Sequence, residues 1–149
     1  IICGIVYDPI KDEMFTAEKG NGAYMNNQRM RVSTRSKLKD CIIFSGGPRY
    51  GSENKELIFK EYIKFSSKVH IAIRKFGSGS LDMAYVAAGR CDGMWQRDLN
   101  YWDIAAGIIL VKESGGFVTD FDGEYRYLQN KTILVTNSKI NNEMIEVLK

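Results

Sequence analysis

This chain is short of histidine, of clustered positive charge and of long apolar runs, and each shortage removes a class of function. Its 21 Lys and Arg are dispersed among 18 Asp and Glu rather than gathered into a run, which argues against a nucleic-acid footprint. The net charge of +3 leaves only a mild preference for acidic or phosphorylated ligands. No stretch reaches the roughly 18 consecutive apolar residues of a membrane-spanning helix. The apolar start at Ile1-Ile2 is cut short by Tyr7-Asp8-Pro9, so neither membrane insertion nor secretion is expected. Cys3, Cys41 and Cys91 are odd in number and widely spaced, which gives no disulfide framework and no cysteine metal site. The compartment they suit is reducing, and a cytoplasmic location is the expectation. The sole histidine, His70, sits in an apolar alternating run with no identifiable triad, and is expected as an edge or core polar group. An initiator methionine is lacking too: Ile1 to Tyr7 reads as a strand entered in mid-sheet, so the chain is expected to continue a longer one.

What is present suits a compact unit. With 44% hydrophobic and 26% charged residues the 149 residues can bury a sizeable core. The first strand reaches Tyr7, Asp8 to Asp12 supplies a turn, Met14 to Ala17 returns, Gly20-Asn21-Gly22 turns again into Ala23-Tyr24-Met25, and Arg29 to Val32 closes an antiparallel meander. Polar residues from Ser33 to Asp40 place a division near Ser36. Beyond it the pattern alternates. A buried strand over Cys41–Phe44 leads into a breaker-rich loop, 45–51. An amphipathic helix over Glu53–Phe65, a strand over Val69–Ile73 and a helix over Ser80–Ala88 follow. Then come a strand over Met94–Gln96, a helix over Ile104–Glu113 stopped by Gly115-Gly116, and strands over Phe117–Thr119 and Thr132–Val135. Asn137 or Ser138 is expected to cap a last helix ending near Lys149. The fold class read from this is α/β.

Two runs carry chemistry: Phe76-Gly77-Ser78-Gly79-Ser80-Leu81-Asp82 and Trp102-Asp103-Ile104-Ala105-Ala106-Gly107. Asp103 precedes a small-residue helix start, where its carboxylate either caps the helix or offers hard oxygens to Mg²⁺, and the two roles are compatible. Gly77-Ser78-Gly79-Ser80 puts backbone donors and hydroxyls at a helix entrance, suited to a phosphate or polyol and equally to a flexible capping loop. Asp92, before Gly93, reads as a turn residue, and Asp98 as a partner contact or a solvated position. Trp95 and Trp102 border a pocket or, with better reason, pack in the core.

These stretches resemble the inositol monophosphatase family, especially its bacterial extragenic-suppressor branch. The matching positions are Gly4-Ile5-Val6-Tyr7-Asp8-Pro9, Ala17 to Ala23, Gly77 to Gly93, Trp102 to Gly107, and Glu113-Ser114-Gly115-Gly116. The similarity runs nearly end to end, yet only to the later part of a full member. It implies the C-terminal portion of a layered α-β-α-β-α fold with a partial antiparallel N-terminal meander. Residues 1–36 would end the first, metal-binding-side domain, and residues 37–149 would form the substrate-side α/β domain. The family's earlier metal-binding glutamate and its Asp-Pro-Leu/Ile-Asp-Gly-Thr loop have no counterpart. Asp8-Pro9-Ile10-Lys11-Asp12 is only superficially similar to that loop, since Lys11 replaces its second aspartate and no Gly-Thr follows.

By resemblance Asp103 matches a metal ligand, while Gly77, Ser78 and Gly79 match positions lining the substrate pocket. Gln96 stands where a glutamate often contacts inositol, and an amide still bonds hydroxyls but without the charge. The implied function of the complete protein is Mg²⁺-dependent, lithium-sensitive hydrolysis of inositol monophosphate or a related small sugar phosphate by direct water attack, in a homodimer. This chain alone, without the upstream acids, is expected to be inactive. Two other readings stand beside it: a binding factor associated with transcription complexes, RNA polymerase factors and ribosomal RNA production, and a degenerate non-catalytic fragment.

Overall fold

The computed structural model describes residues 1–48 and 51–149; Arg49 and Tyr50, in the loop expected over 45–51, lie outside the described residues. Strands β1 (Cys3–Asp8), β2 (Glu13–Glu18), β3 (Gly22–Met25) and β4 (Gln28–Arg29) form an antiparallel meander in sequence order. Strict alternation along β1 turns Gly4, Val6 and Asp8 inward and Cys3, Ile5 and Tyr7 outward, the period-2 signature of a sheet with one packed face. The expected turn joins β1 to β2, with Asp8 Oδ1 accepting from the backbone N–H groups of Ile10 (3.1 Å) and Lys11 (3.3 Å).

The second sheet comprises β5 (Ile42–Ser45), β6 (Ala72–Arg74), β7 (Gly93–Arg97), β8 (Phe117–Thr119) and β9 (Thr132–Thr136), in spatial order β6-β5-β7-β9-β8. Strand β5 runs parallel to both β6 and β7, whereas β9 is antiparallel to β7 and β8. Helices α2 (Gly79–Ala87) and α3 (Tyr101–Glu113) lie between the sheets, touching β1 on one side and β7, β8 and β9 on the other. Their core joins Val6, Phe15 and Ala23 of the meander to Met94, Ile133 and Val135 of the second sheet. Helices α1 (Lys55–Ser66) and α5 (Asn141–Leu148) cover the far face through Leu38, Ile43, Phe65, Trp95 and Met144. The order of layers is therefore sheet, helices, sheet, helices. A short helix, α4 (Tyr127–Asn130), precedes β9. No helix among the described residues is long and apolar enough to cross a membrane.

The two inner helices approach closely because Gly107 carries no side chain: a Cβ there would stand 2.6 Å from Met83 Cβ. Several boundaries differ from the sequence pattern. Helix α3 starts three residues before Ile104, because Asn100 is still extended and the first turn forms directly after it. The meander's last strand covers Gln28–Arg29 rather than reaching Val32, whose N–H instead donates to Ser114 O at 3.2 Å. Strand β6 is confined to Ala72–Arg74. Neither Asn137 nor Ser138 caps α5: Asn137 Oδ1 accepts from Lys139 and Ile140 N–H, a turn one step earlier.

Candidate functional site

The parallel strands β6, β5 and β7 end on the same side of the sheet, and the loops leaving them meet the N-terminal turns of α2 and α3. This is where open α/β sheets form ligand crevices. A cavity of about 510 Å³ lies there, and among the described residues its walls include Lys75, Gly77, Ser78, Gly79, Gln96 and Asp103, with Gly46, Pro48, Ser80 and Leu99 completing them. All five residues singled out in the sequence thus border one space.

Each is placed by local backbone chemistry. Gly77 has φ +97, a left-handed conformation that turns β6 toward α2 and that a side chain would strain. Ser78 is the N-cap of α2: its Oγ accepts from Leu81 N–H at 3.4 Å and lies 3.3 Å from Ser80 Oγ. It caps the helix and faces the cavity at once. Gln96 comes from β7, next to the end of β5, and its amide lies against Gly46, where any Cβ would collide with it. Gln96 Oε1 is buried and makes no hydrogen bond among the described residues.

Asp103 sits inside the first turn of α3 rather than before it. Its Oδ2 accepts from Asn100 N–H at 3.0 Å, the carboxylate half of a capping box. The capping role is therefore present, and the side chain borders the cavity as well. No group of three or more His, Cys, Asp and Glu suited to a metal ion occurs among the described residues. One carboxylate provides a hard oxygen ligand but no cage, so the donor set in this chain does not by itself fit a Mg²⁺ ion.

The other residues weighed from the sequence fall elsewhere. Asp92 is fully buried rather than a simple turn residue: Ser33 Oγ donates to it, Arg35 lies 3.2 Å away, and Ile42 N–H donates to its Oδ2 at 2.7 Å. Asp98 is held by intrachain bonds rather than left merely solvated. With φ +60 it accepts from Asn54 Nδ2 at 2.9 and 3.0 Å and from Ser52 Oγ at 3.3 Å, tying the start of α1 to the end of β7. Trp95 is core, stacked on Phe65 at 4.1 Å between ring centroids, and its Nε1 donates to Glu61 at 3.2 Å. Trp102 is 78% exposed, against the packing expectation, because α3 turns that position to solvent one residue before Asp103. His70 is exposed just before the edge strand β6, not in the core.

Three residues escaped the sequence reading, two of them at the cavity. Lys75 borders the cavity, yet its only signal was to precede the Phe76-Gly77 run. Gly46 matters through the amide it admits, a long-range contact without a local pattern. Asp82, on the buried side of α2, is 1% exposed, and neither carboxylate oxygen has a hydrogen-bond partner among the described residues. Burial pushes its carboxyl up to about 7.

A layered α/β chain with a polar crevice at the carboxyl ends of three parallel strands, entered by two helix N-termini, defines a small-ligand-binding class of fold. The chain belongs to the inositol monophosphatase family, whose model matches residues 1–148. It is 42% identical over its whole length to the inositol-1-monophosphatases of Mesorhizobium japonicum and Rhizobium meliloti, spanning 56% of each. It is also 42% identical over 138 residues to the Nus factor SuhB of Pseudomonas aeruginosa, matching 91% of this chain and 50% of that protein. The crystal structure of the extragenic suppressor protein suhB from Bartonella henselae superposes on all of it with TM-score 0.95 and 44% identity, over 57% of that chain. The chain thus spans little more than half the length of these relatives.

Proposed function

We propose that this chain is the later, substrate-side part of a Mg²⁺-dependent phosphomonoesterase that hydrolyses inositol monophosphate or a related small sugar phosphate. The observation that carries the reading is the convergence of Gly77, Ser78, Gly79, Gln96 and Asp103 on one cavity large enough for a phosphorylated polyol. In this reading residues 1–36 complete a first, metal-binding-side domain and residues 37–149 form the substrate side. Ser78 Oγ and the backbone at Gly79 orient hydroxyls, and the side-chain amide of Gln96, which borders the cavity, bonds to one of them. Asp103 holds its carboxylate, fixed by Asn100 N–H, toward a Mg²⁺ ion whose remaining ligands come from outside this chain. A bound Mg²⁺ supplies activation of water and stabilisation of phosphoryl charge. A homodimer belongs to the same proposal through the family resemblance alone; sedimentation showing only monomer over a wide concentration range rejects it.

The test is a phosphate-release assay on the complete protein with and without Mg²⁺, beside the 149-residue chain. Turnover by the complete protein that needs Mg²⁺, with little or none from the chain alone, is expected. A complete protein inert toward inositol monophosphate and small sugar phosphates alike rejects the reading. A second reading is favoured by relatives named Nus factor SuhB: a cytoplasmic binding factor for transcription complexes. Magnesium-independent association with RNA polymerase-associated factors, unaffected by Asp103→Asn, distinguishes it.

A further inference from the structure

We infer that Lys75 makes this pocket select phosphomonoesters whose polyol carries a second anionic group, a phosphate or a carboxylate. The inference rests on the phosphomonoesterase reading above and adds the charge of the preferred substrate. Among the described residues lining the cavity only two are charged, Lys75 and Asp103. The carboxylate of Asp103 is engaged at the start of α3. Lys75 follows the last residue of β6, and its side chain lies over Gly47, with Nζ 3.3 Å from the point a Cβ would occupy. Gly47 has φ +66, so the backbone passes beneath the ammonium with no side chain between them. The amide of Gln96 rests on Gly46, the neighbouring residue. Consecutive Cα atoms are about 3.8 Å apart, so the ammonium and the amide converge on one rim of the pocket.

Their charges decide what that rim accepts. Lys75 makes no salt bridge among the described residues, whereas Lys11 lies 3.9 Å from Asp8. Glutamine at position 96 adds no negative charge to the rim that Lys75 borders. A concave wall carrying an unpaired ammonium, with the hydroxyls of Ser78 and Ser80 nearby, attracts an anion more strongly than a neutral hydroxyl. A charge-assisted hydrogen bond in such a site is worth about tenfold in affinity. The polyol of a simple monophosphate offers this group only neutral hydroxyl acceptors, whereas a second phosphate or a carboxylate offers a charged one.

The test is equilibrium titration of the protein with inositol 1-phosphate, inositol 1,4-bisphosphate and glucuronic acid 1-phosphate, for the wild type, Lys75→Ala and Lys75→Arg. The expected result is roughly tenfold tighter binding of at least one doubly anionic ligand than of inositol 1-phosphate. That preference should fall to about twofold or less in Lys75→Ala, survive in Lys75→Arg, and shrink as salt rises. Preference for the bisphosphate alone assigns the second group as phosphate, and preference for both assigns any anion. Equal binding of all three, or a preference that Lys75→Ala leaves intact, overturns the inference. Phosphate release from the same ligands by the complete protein with Mg²⁺ separates the two readings. If no ligand is hydrolysed while the Lys75-dependent preference persists, the phosphomonoesterase reading fails; if hydrolysis proceeds with a Lys75-independent ratio, the selectivity inference fails.

Discussion

Replacing Asp82 by Asn should remove a defined part of this protein's pH-dependent instability. The carboxyl of Asp82 has a pKa near 3.8 in an unfolded chain and about 7 when folded, because burial disfavours its ionised form. The folded state therefore holds the proton more tightly, and stability falls as pH rises. Below pH 3.8 both states are protonated and nothing is lost. Between pH 4 and pH 7 the unfolded chain ionises while the folded one does not, at a cost of about 1.4 kcal/mol per pH unit, and above pH 7 the loss levels off. From pH 5 to pH 8 this group alone should remove about 2.5 kcal/mol. Asn keeps the volume and cannot titrate. Any constant penalty from its amide is the same at every pH, so the quantity to read is the change with pH in the difference between wild type and variant. Urea unfolding at pH 5, 6, 7 and 8, followed by far-ultraviolet circular dichroism, gives it. The wild type should lose ground to Asp82→Asn steadily up to pH 7; curves that stay parallel refute the assignment of a neutral, unpartnered carboxyl to this site.

Three further outcomes follow from the geometry. Asp92→Ala strands the N–H of Ile42 and the hydroxyl of Ser33 and should cost about 3 kcal/mol in urea unfolding. Arg35→Ala, which removes a half-exposed partner, should cost under about 1 kcal/mol, and similar costs for the two would contradict the buried-anchor description. Gly107→Ala sets a helix-propensity gain of about 1 kcal/mol against a Cβ 2.6 Å from Met83 Cβ. Overpacking of about 1–3 kcal/mol should win, so a raised melting temperature would show that α2 and α3 separate freely. Asp103→Asn retains an oxygen for Asn100 N–H and should shift stability by less than about 1 kcal/mol. In the complete protein it should sharply lower turnover and Mg²⁺ binding by isothermal titration; unchanged values for both would remove Asp103 from the metal site.

The alternation of strands and helices was legible because it is written in local periodicity: β8 occurs over Phe117–Thr119 as expected, and β7 and β9 extend their expected cores by a residue or two. Features set by distant contacts were not. Four-residue α4 has too little length for a helical period to show. Asp92 followed by Gly93 has the local look of a turn, and only folding brings Ser33, Arg35 and Ile42 around it. At the site, Gly77 to Gly79 and Asp103 announce themselves by glycine and helix-start patterns. Lys75 is one lysine among many until the glycines of β5's outgoing loop are placed beneath it.

The contrasting surroundings of the two tryptophans give the molecule a pair of optical labels. Trp95 is sealed against Phe65 in the far core, while Trp102 projects into solvent from the turn that carries Asp103. The first indole should emit at short wavelength and resist acrylamide; the second should emit farther to the red and be readily quenched. Anything that settles against the opening turn of α3 dims or shifts only the second band, and unfolding alters the first. Occupancy and integrity can thus be followed in a single emission spectrum, without attaching a dye.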